Sequence, residues 1–552
     1  MKLSRALSAL VIAGLMVATA GCGGSSNSSS STPPPSPPPA PPPPVPPPPT
    51  PPLEPQYLAS ATSPFGANCD GATPVGTLYV NAEVEPSLAV DPSNGSLLNA
   101  VWQQDRWSTG GSRGIVAARS TDGGRSWTRQ PMLFTRCAGG TGANDGNYPR
   151  ASNPWITVSS DGTLNQLALA FSGDVLRPGS TSAVVAARST DGGATWGPTQ
   201  TLILDGSNFF NDKGAITADP VTVQNVYAVW DRLSSANVGP SEFTRSTDQG
   251  ASWESARAIY DPGVNNQTIS NAIVVLPNGT LVDMFLELLG TANGGYSSTI
   301  RVIRSSDTGD TWSAPITVAE DLAVGTRDPD TGNPIRDSAL IPDIAVAPDG
   351  TLYVVWQDSR FSNGARDAIA ISESVDAGVT WSSPILVNGD PTVAAFTPVA
   401  HVRDDGVIGV TYYDFRDNTT DTATLYTDHW LAVSMDASAW SDHQVAGPFD
   451  LTIAPIATSP GNGYFLGDYQ ALQSAGSLFL PMFVQTNSGN TTNRTDVFAA
   501  PAVSVTETAI FAAAKRSAMQ AQPVTPDPAW RQRISDNIVR ELHARLHASP
   551  NS

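Results

Sequence analysis

Cysteine and histidine are scarce in this chain, three and five in 552 residues. None falls in the Cys/His spacing of a zinc site, so no metal ligand set and no cofactor is assigned from them. Basic residues are the minority sign, 30 against 50 acidic, for a formal net charge of −20. Such a chain repels phosphate backbones, which argues against nucleic acid as a partner. Long apolar runs are also lacking. The exception, Ala6 to Ala20, follows Lys2 and Arg5 and ends in small residues. That is the pattern of a secretory signal over 1–21, too short for a permanent span.

Cys22 follows Thr19-Ala20-Gly21, a sequence that resembles a bacterial lipobox with Thr19 in place of the usual Leu. Cys22 is therefore the expected lipidation site, and Gly23 after it is similar to lipoproteins sorted to an outer membrane. Residues 22–53 read as lipidated cysteine plus tether, first Gly/Ser and then nearly pure proline. Polyproline lacks N–H donors and extends as a semi-rigid spacer. The expected location is outside the cell, held in the envelope by the lipid alone. Two cysteines remain, Cys69 and Cys137, and an even pair in an oxidising compartment predicts one disulfide.

What the chain has in abundance is a repeat. Ser-x-Asp-x-Gly-x-x-Trp occurs five times, at Ser120–Trp127, Ser189–Trp196, Ser246–Trp253, Ser305–Trp312 and Ser374–Trp381; Ser434–Trp440 is a shorter copy without the glycine. Each reads as a tight turn between strands: Asp accepts backbone N–H groups, Gly takes a positive φ, Trp covers the hairpin. Before the copies run strand pairs beginning near Glu85, Asn153, Lys213, Asn271, Ile341, Thr397 and Tyr464, several joined by Asp-Gly or Asn-Gly. Recurrence at this period marks a propeller or an array.

The signature resembles the Asp-box, or bacterial neuraminidase repeat, of sialidase-like β-propellers. The resemblance implies an all-β fold over 54–503 made of four-stranded blades. Seven blades is the favoured count and six the alternative, with a strand at Thr77–Asn81 closing the ring. Residues 504–552 read as a helical tail. Within it Asp527–Ala548 places Trp530, Ile534, Ile538, Leu542 and Leu546 on one face, for packing on the propeller or, less favoured, for docking a partner.

Chemistry is less legible than architecture. Four second strands end in an acid and an arginine: Asp105 with Arg106, Asp231 with Arg232, Asp358 with Arg360, Asp414 with Arg416. Such pairs bridge blades, or their arginines clamp a sugar carboxylate as the three arginines of sialidases do. The fourth blade has Glu287 among apolar neighbours, a setting that suits an acid or base. In sialidases a Glu activates a Tyr nucleophile, and by position Glu287 takes that role. Tyr413 is the nominated nucleophile, although Tyr412, Tyr464 and Tyr469 are equivalent candidates, and Asp105 is the nominated acid/base. The chain departs from the family where an Arg-Ile-Pro tripeptide is expected. Glu85-Pro86-Ser87-Leu88 stands there, with no arginine between Leu7 and Arg106. Asp328, Asp330 and Asn333 offer a weak calcium loop, with a solvated acidic loop preferred. The resulting expectation is an envelope-anchored propeller that recognises a glycan, with exo-sialidase-type hydrolysis undecided. The alternative is a non-catalytic propeller lipoprotein binding another envelope protein.

Overall fold

Asp-Gly and Asn-Gly pairs make the inner hairpins. At Asp161-Gly162, Asn278-Gly279 and Asp349-Gly350 the glycine is left-handed and the acid or amide oxygen accepts the N–H two residues on, at 3.0, 3.0 and 2.9 Å. The structure is a computed structural model that describes residues 55–546 apart from 72–75, 237, 293, 459–462, 501–502, 505–515 and 518. The signal, Cys22 and the tether lie outside the described residues. The chain divides into units 1–52 and 53–552, and only the second is described below.

That unit is nearly all β. The first repeat comprises Leu78–Asp91, Asn94–Trp107, Ser112–Ser120 and Thr128–Pro131, each antiparallel to the one before. Repeats two to six follow from Arg150 to Asp205, Phe209 to Tyr260, Asn266 to Asp321, Asp343 to Leu386 and Ala395 to Asp450. The seventh has Ala471–Ala475, Leu478–Thr486 and Thr495–Ala499. First strands of successive repeats lie against one another, and the seventh returns to the first, so the circuit closes. The closing strand does come from the N-terminal side, but it is Tyr57–Leu58, paired with Ala499 and Phe498. Thr77–Asn81 is needed elsewhere: Leu78 and Tyr79 begin the long first strand and pair with Trp107 and Arg106.

Between neighbouring sheets the alternation of strand residues builds the core. Leu167, Leu169 and Val184 of the second repeat meet Ile216, Ala228 and Trp230 of the third. Trp102, Trp230 and Trp356 occupy second strands and are fully buried; burying each contributes about 2–3 kcal/mol. On the outside, all five full turns share one bonding scheme. In the second, Asp191 accepts the Thr195 N–H at 2.9 Å and its hydroxyl at 2.6 Å, while the Gly193 N–H donates to Ser189 Oγ at 3.0 Å.

Cys69 and Cys137 form the disulfide, 68 residues apart in sequence. The helix runs over Pro528–Leu546, capped by the Asp527 carboxylate on the Trp530 N–H at 2.8 Å. Trp530, Ile534, Ile538 and Leu542 are buried against Leu286, Leu288 and Leu340, so the apolar face packs on the fourth and fifth repeats. Among the described residues no helix is long and apolar enough to cross a membrane.

Candidate active site at the channel mouth

A first strand must bend to pass the centre of the circuit, and five of the seven do so with a bulge. The register shifts beside Glu85, Asn153, Lys213, Ser270 and Thr397, and each of these residues has a φ between 46 and 66°. Left-handed backbone at non-glycine residues is strained, and such strain collects at sites. Here the bulges turn side chains into the channel. A cavity of about 290 Å³ is lined by all seven first-strand segments, and a pocket of about 50 Å³ adjoins it where the second strands end. Asn153, Lys213 and Asp468 line both.

The charged cluster at that junction is built by distant segments. Lys213 donates to Asp468, 255 residues away, and Arg336 reaches the same carboxylate at 3.1 and 3.3 Å. Arg336 is placed by a short parallel pairing with Phe465, whose ring lies under it and under Arg106, at 5.0 and 4.6 Å. Glu85 is 1 % exposed and accepts from Gln103, whose amide oxygen takes a bond from Arg106 at 2.9 Å. Gly467 is needed for this approach: a Cβ on it would stand 2.8 Å from the Glu85 nitrogen.

The two carboxylates are driven apart. Burial, reinforced by the Asp468 charge, raises Glu85 above the ordinary carboxylate range against the pull of Lys213, Arg106 and Arg336. Asp468 is equally buried, but Arg336 and Lys213 outweigh that effect and hold it below the range. One group inclined to hold its proton beside one held ionised is the electrostatic arrangement of an acid and a base. Burial, with Arg336 nearby, also lowers Arg106 to about 10, and its Nε is without a partner.

The residues nominated from sequence are distributed differently. Of the four arginines only Arg106 lies at this junction. Arg232 is bound to Asp205 at 2.6 and 2.9 Å and rests on Phe209; Arg360 binds Asp358 at 2.6 Å and the Glu320 carbonyl. Arg416 holds Asp414 and lies 3.6 Å over the Trp430 ring. The structure does not bring these three together with Arg106, because an acid claims each first: Asp205, at the end of the preceding repeat, for Arg232, and the acid two residues earlier for Arg360 and Arg416. Asp105 is fully buried and fastens the N-terminal segment, accepting Ser63 Oγ at 2.8 Å and the Asn81 N–H at 2.9 Å. Tyr413 donates its hydroxyl to the Val484 carbonyl at 2.8 Å and is buried among Phe396, His429 and Phe449. Glu287 faces the third repeat, where it accepts from the Tyr260 hydroxyl and pairs with Arg301 at 2.9 Å. Asp328 spends its carboxylate on its own turn, accepting from Asp330 N–H at 2.9 Å and Thr331 Oγ1 at 2.5 Å. Among the described residues no three of His, Cys, Asp and Glu gather in metal-binding geometry.

No protein-family model matches the chain. A sialidase of Micromonospora viridifaciens is 26% identical over 349 residues, covering 59% of this chain and 49% of that protein. A xyloglucanase of a Paenibacillus species is 28% identical over 301 residues, covering 51% and 26%. The chain is similar to sialidases. It spans about half the length of the sialidase and about a quarter of the xyloglucanase. Among solved structures, a Hadza microbial sialidase aligns with TM-score 0.43 at 17% identity over 75% of each chain. An α-L-arabinanase of Penicillium chrysogenum aligns with TM-score 0.43 at 14% identity, over 65% of this chain and 92% of that one.

Sequence reasoning missed Lys213, Arg336 and Asp468. Their signal was present but faint. Lys213, like Glu85, stands inside a first strand and precedes a proline or glycine at the bulge, as Asn153 and Thr397 also do.

Proposed function

We propose that the chain is a seven-bladed propeller of four-stranded blades that recognises an anionic carbohydrate at the channel mouth and hydrolyses it from one end. The observation that carries this reading is the set of three cations, the buried Arg106 and Lys213 and the half-buried Arg336, around the unequal pair Glu85 and Asp468. The cations suit a sugar carboxylate, and the pair suits proton transfer to the leaving oxygen. The adjoining cavity sits at the lower edge of ligand-pocket sizes, about 300–1,000 Å³. The likeness to a sialidase and a xyloglucanase supports a carbohydrate substrate. Export and anchoring through Cys22 belong to the same proposal, and intact-mass analysis of detergent-extracted protein checks them by the mass of an acylated Cys22.

A second arrangement has its own observation. Tyr260, Glu287 and Arg301 form a hydrogen-bonded tyrosine–glutamate–arginine set between the third and fourth repeats. It is the pairing that the sialidase resemblance calls for, displaced from the channel.

The test is release of monosaccharide from sialylated and neutral oligosaccharides by wild type, Glu85→Gln and Glu287→Gln. Loss of release in Glu85→Gln alone supports the channel mouth; loss in Glu287→Gln alone moves the chemistry to the tyrosine set. No release from any glycan by folded wild type leaves a binding propeller, and the envelope-partner alternative takes precedence.

A further inference from the structure

A second cavity, about 760 Å³, lies between the C-terminal helix and loops of the fifth and sixth repeats. That volume is well inside the range of ligand sites, about 300–1,000 Å³. Arginines from three separate segments line it: Arg327, Arg366 and, on the helix, Arg540 and Arg533, the last of which donates to the Gly364 carbonyl at 3.0 Å. Burial lowers Arg327, and the Arg540 charge lowers it further, so the two cations are close enough to repel. Two donors there lack partners. They are Nδ2 of Asn537, a residue only 2 % exposed, and Nε of Arg366. A buried donor left unmatched is costly unless a ligand or water meets it.

The acids on this wall are already occupied. Asp367 accepts the Val324 and Gly325 N–H groups at 2.9 and 2.8 Å, and burial beside Asp337 raises it well above its usual range. Asp328 is turned into its own loop, and Asp536 accepts from Gln532 at 2.8 Å. The Arg366 charge is felt by Asp390, outside the cavity lining. Thr392, Thr419, Thr420 and the apolar Phe415 also line it.

We propose that this cleft is a second binding site, for an anionic oligosaccharide, in which Arg366, Arg540 and Asn537 grip a carboxylate or sulfate. The bonds are charge-assisted and the guanidinium forks fit either oxyanion. The helix is then one wall of a binding site, and residues 528–546 help to choose the ligand. The sugar part of this assignment rests on the carbohydrate reading above; the anion part rests on the cleft itself.

Calorimetric titration of the full chain tests it, with trigalacturonate, a sulfated disaccharide and maltotriose as probes. Wild type is expected to bind one or both anionic probes and not maltotriose, and the preferred probe tells carboxylate from sulfate. Arg366→Gln and Arg540→Gln are each expected to weaken binding about tenfold or more, with monosaccharide release unchanged; Arg366→Gln is also expected to keep the melting temperature, whereas Arg540→Gln gives up the pair with Glu541 and is read beside its own melt. Arg336→Gln at the channel mouth is expected to leave cleft affinity unaltered. No binding of either anionic probe, affinity in both cleft variants equal to that of wild type, or equal binding of maltotriose overturns the proposal. Loss of binding in Arg336→Gln alone also overturns it, by moving the ligand to the mouth. Binding that persists while no glycan is ever cleaved leaves the cleft standing and removes the hydrolase reading.

Discussion

The outer turns and the channel mouth use the same residue type, aspartate, to opposite ends. In the turns Asp122, Asp191, Asp307 and Asp376 are exposed, yet their hydroxyl and backbone donors hold them down at about 2. At the channel Asp343 accepts the Ala400 N–H at 2.9 Å and the Ile344 N–H, but burial outweighs both and pushes it up to about 7. The turn is self-sufficient: every bond of its carboxylate comes from within four residues, so it can be copied around the circuit. The channel residues depend on segments hundreds of positions away and are copied nowhere. Repetition carries architecture, and the places where repeats differ carry charge and chemistry.

Breaking the channel side should cost most. Asp468→Ala strips the buried Lys213 and the half-buried Arg336 of their shared partner. An uncompensated buried charge costs about 3–5 kcal/mol, so a large fall in the urea midpoint is expected, with Lys213→Met in the same background recovering part of it. Unchanged stability in Asp468→Ala would mean the ion pairs are not formed.

Breaking one outer turn should cost less. Gly250 has φ 82°, and a Cβ there would meet Asn165 Oδ1 at 1.8 Å. Gly250→Ala is expected to lose about 2 kcal/mol through backbone strain, while the other four turns stay formed and the fold is kept. A thermal melt together with far-ultraviolet dichroism reads both.

Acidity separates the two regions most finely. Asp343 is raised in the folded state above an unfolded value of about 3.9. Its contribution is therefore full below about pH 4 and is lost as pH rises towards 7. The turn aspartates are depressed, so theirs is full above about pH 4 and is lost as pH falls towards 2. Asp343→Asn should flatten the decline of melting temperature between pH 4 and 7, and Asp191→Asn should flatten the decline below pH 4. Identical pH profiles for Asp343→Asn and wild type would refute the burial assigned to Asp343.

How far the chain could be read without coordinates follows the same division. The turns, the Asp-Gly and Asn-Gly hairpins and the helix face of Trp530, Ile534, Ile538 and Leu542 were legible because each is a local pattern with a local cause. Cys69 and Cys137 were legible by elimination. The nominated arginines Arg232, Arg360 and Arg416 misled in their grouping: each is held by an acid of its own repeat or of the one before, so recurrence was a sign of structure. Arg336 had no repeat to announce it, and its closeness to Lys213 exists only once the circuit has closed. Glu85 was noticed as the residue standing where an arginine was expected, and its neighbours Gln103 and Arg106 could not be inferred from that.

The two-residue strand Tyr57–Leu58 and the disulfide that follows it also make a mechanical fuse. Tension entering at residue 55 is taken first by the pairing of Tyr57 and Leu58 with Phe498 and Ala499. Should that strand peel, the slack runs only to Cys69, where the covalent link to Cys137 transfers the load to the loop beyond the first outer turn. Ser63, bonded to Asn81 and Asp105 on the way, passes part of that pull to the first two strands, so the disulfide limits the load on the mouth at Glu85 without removing it.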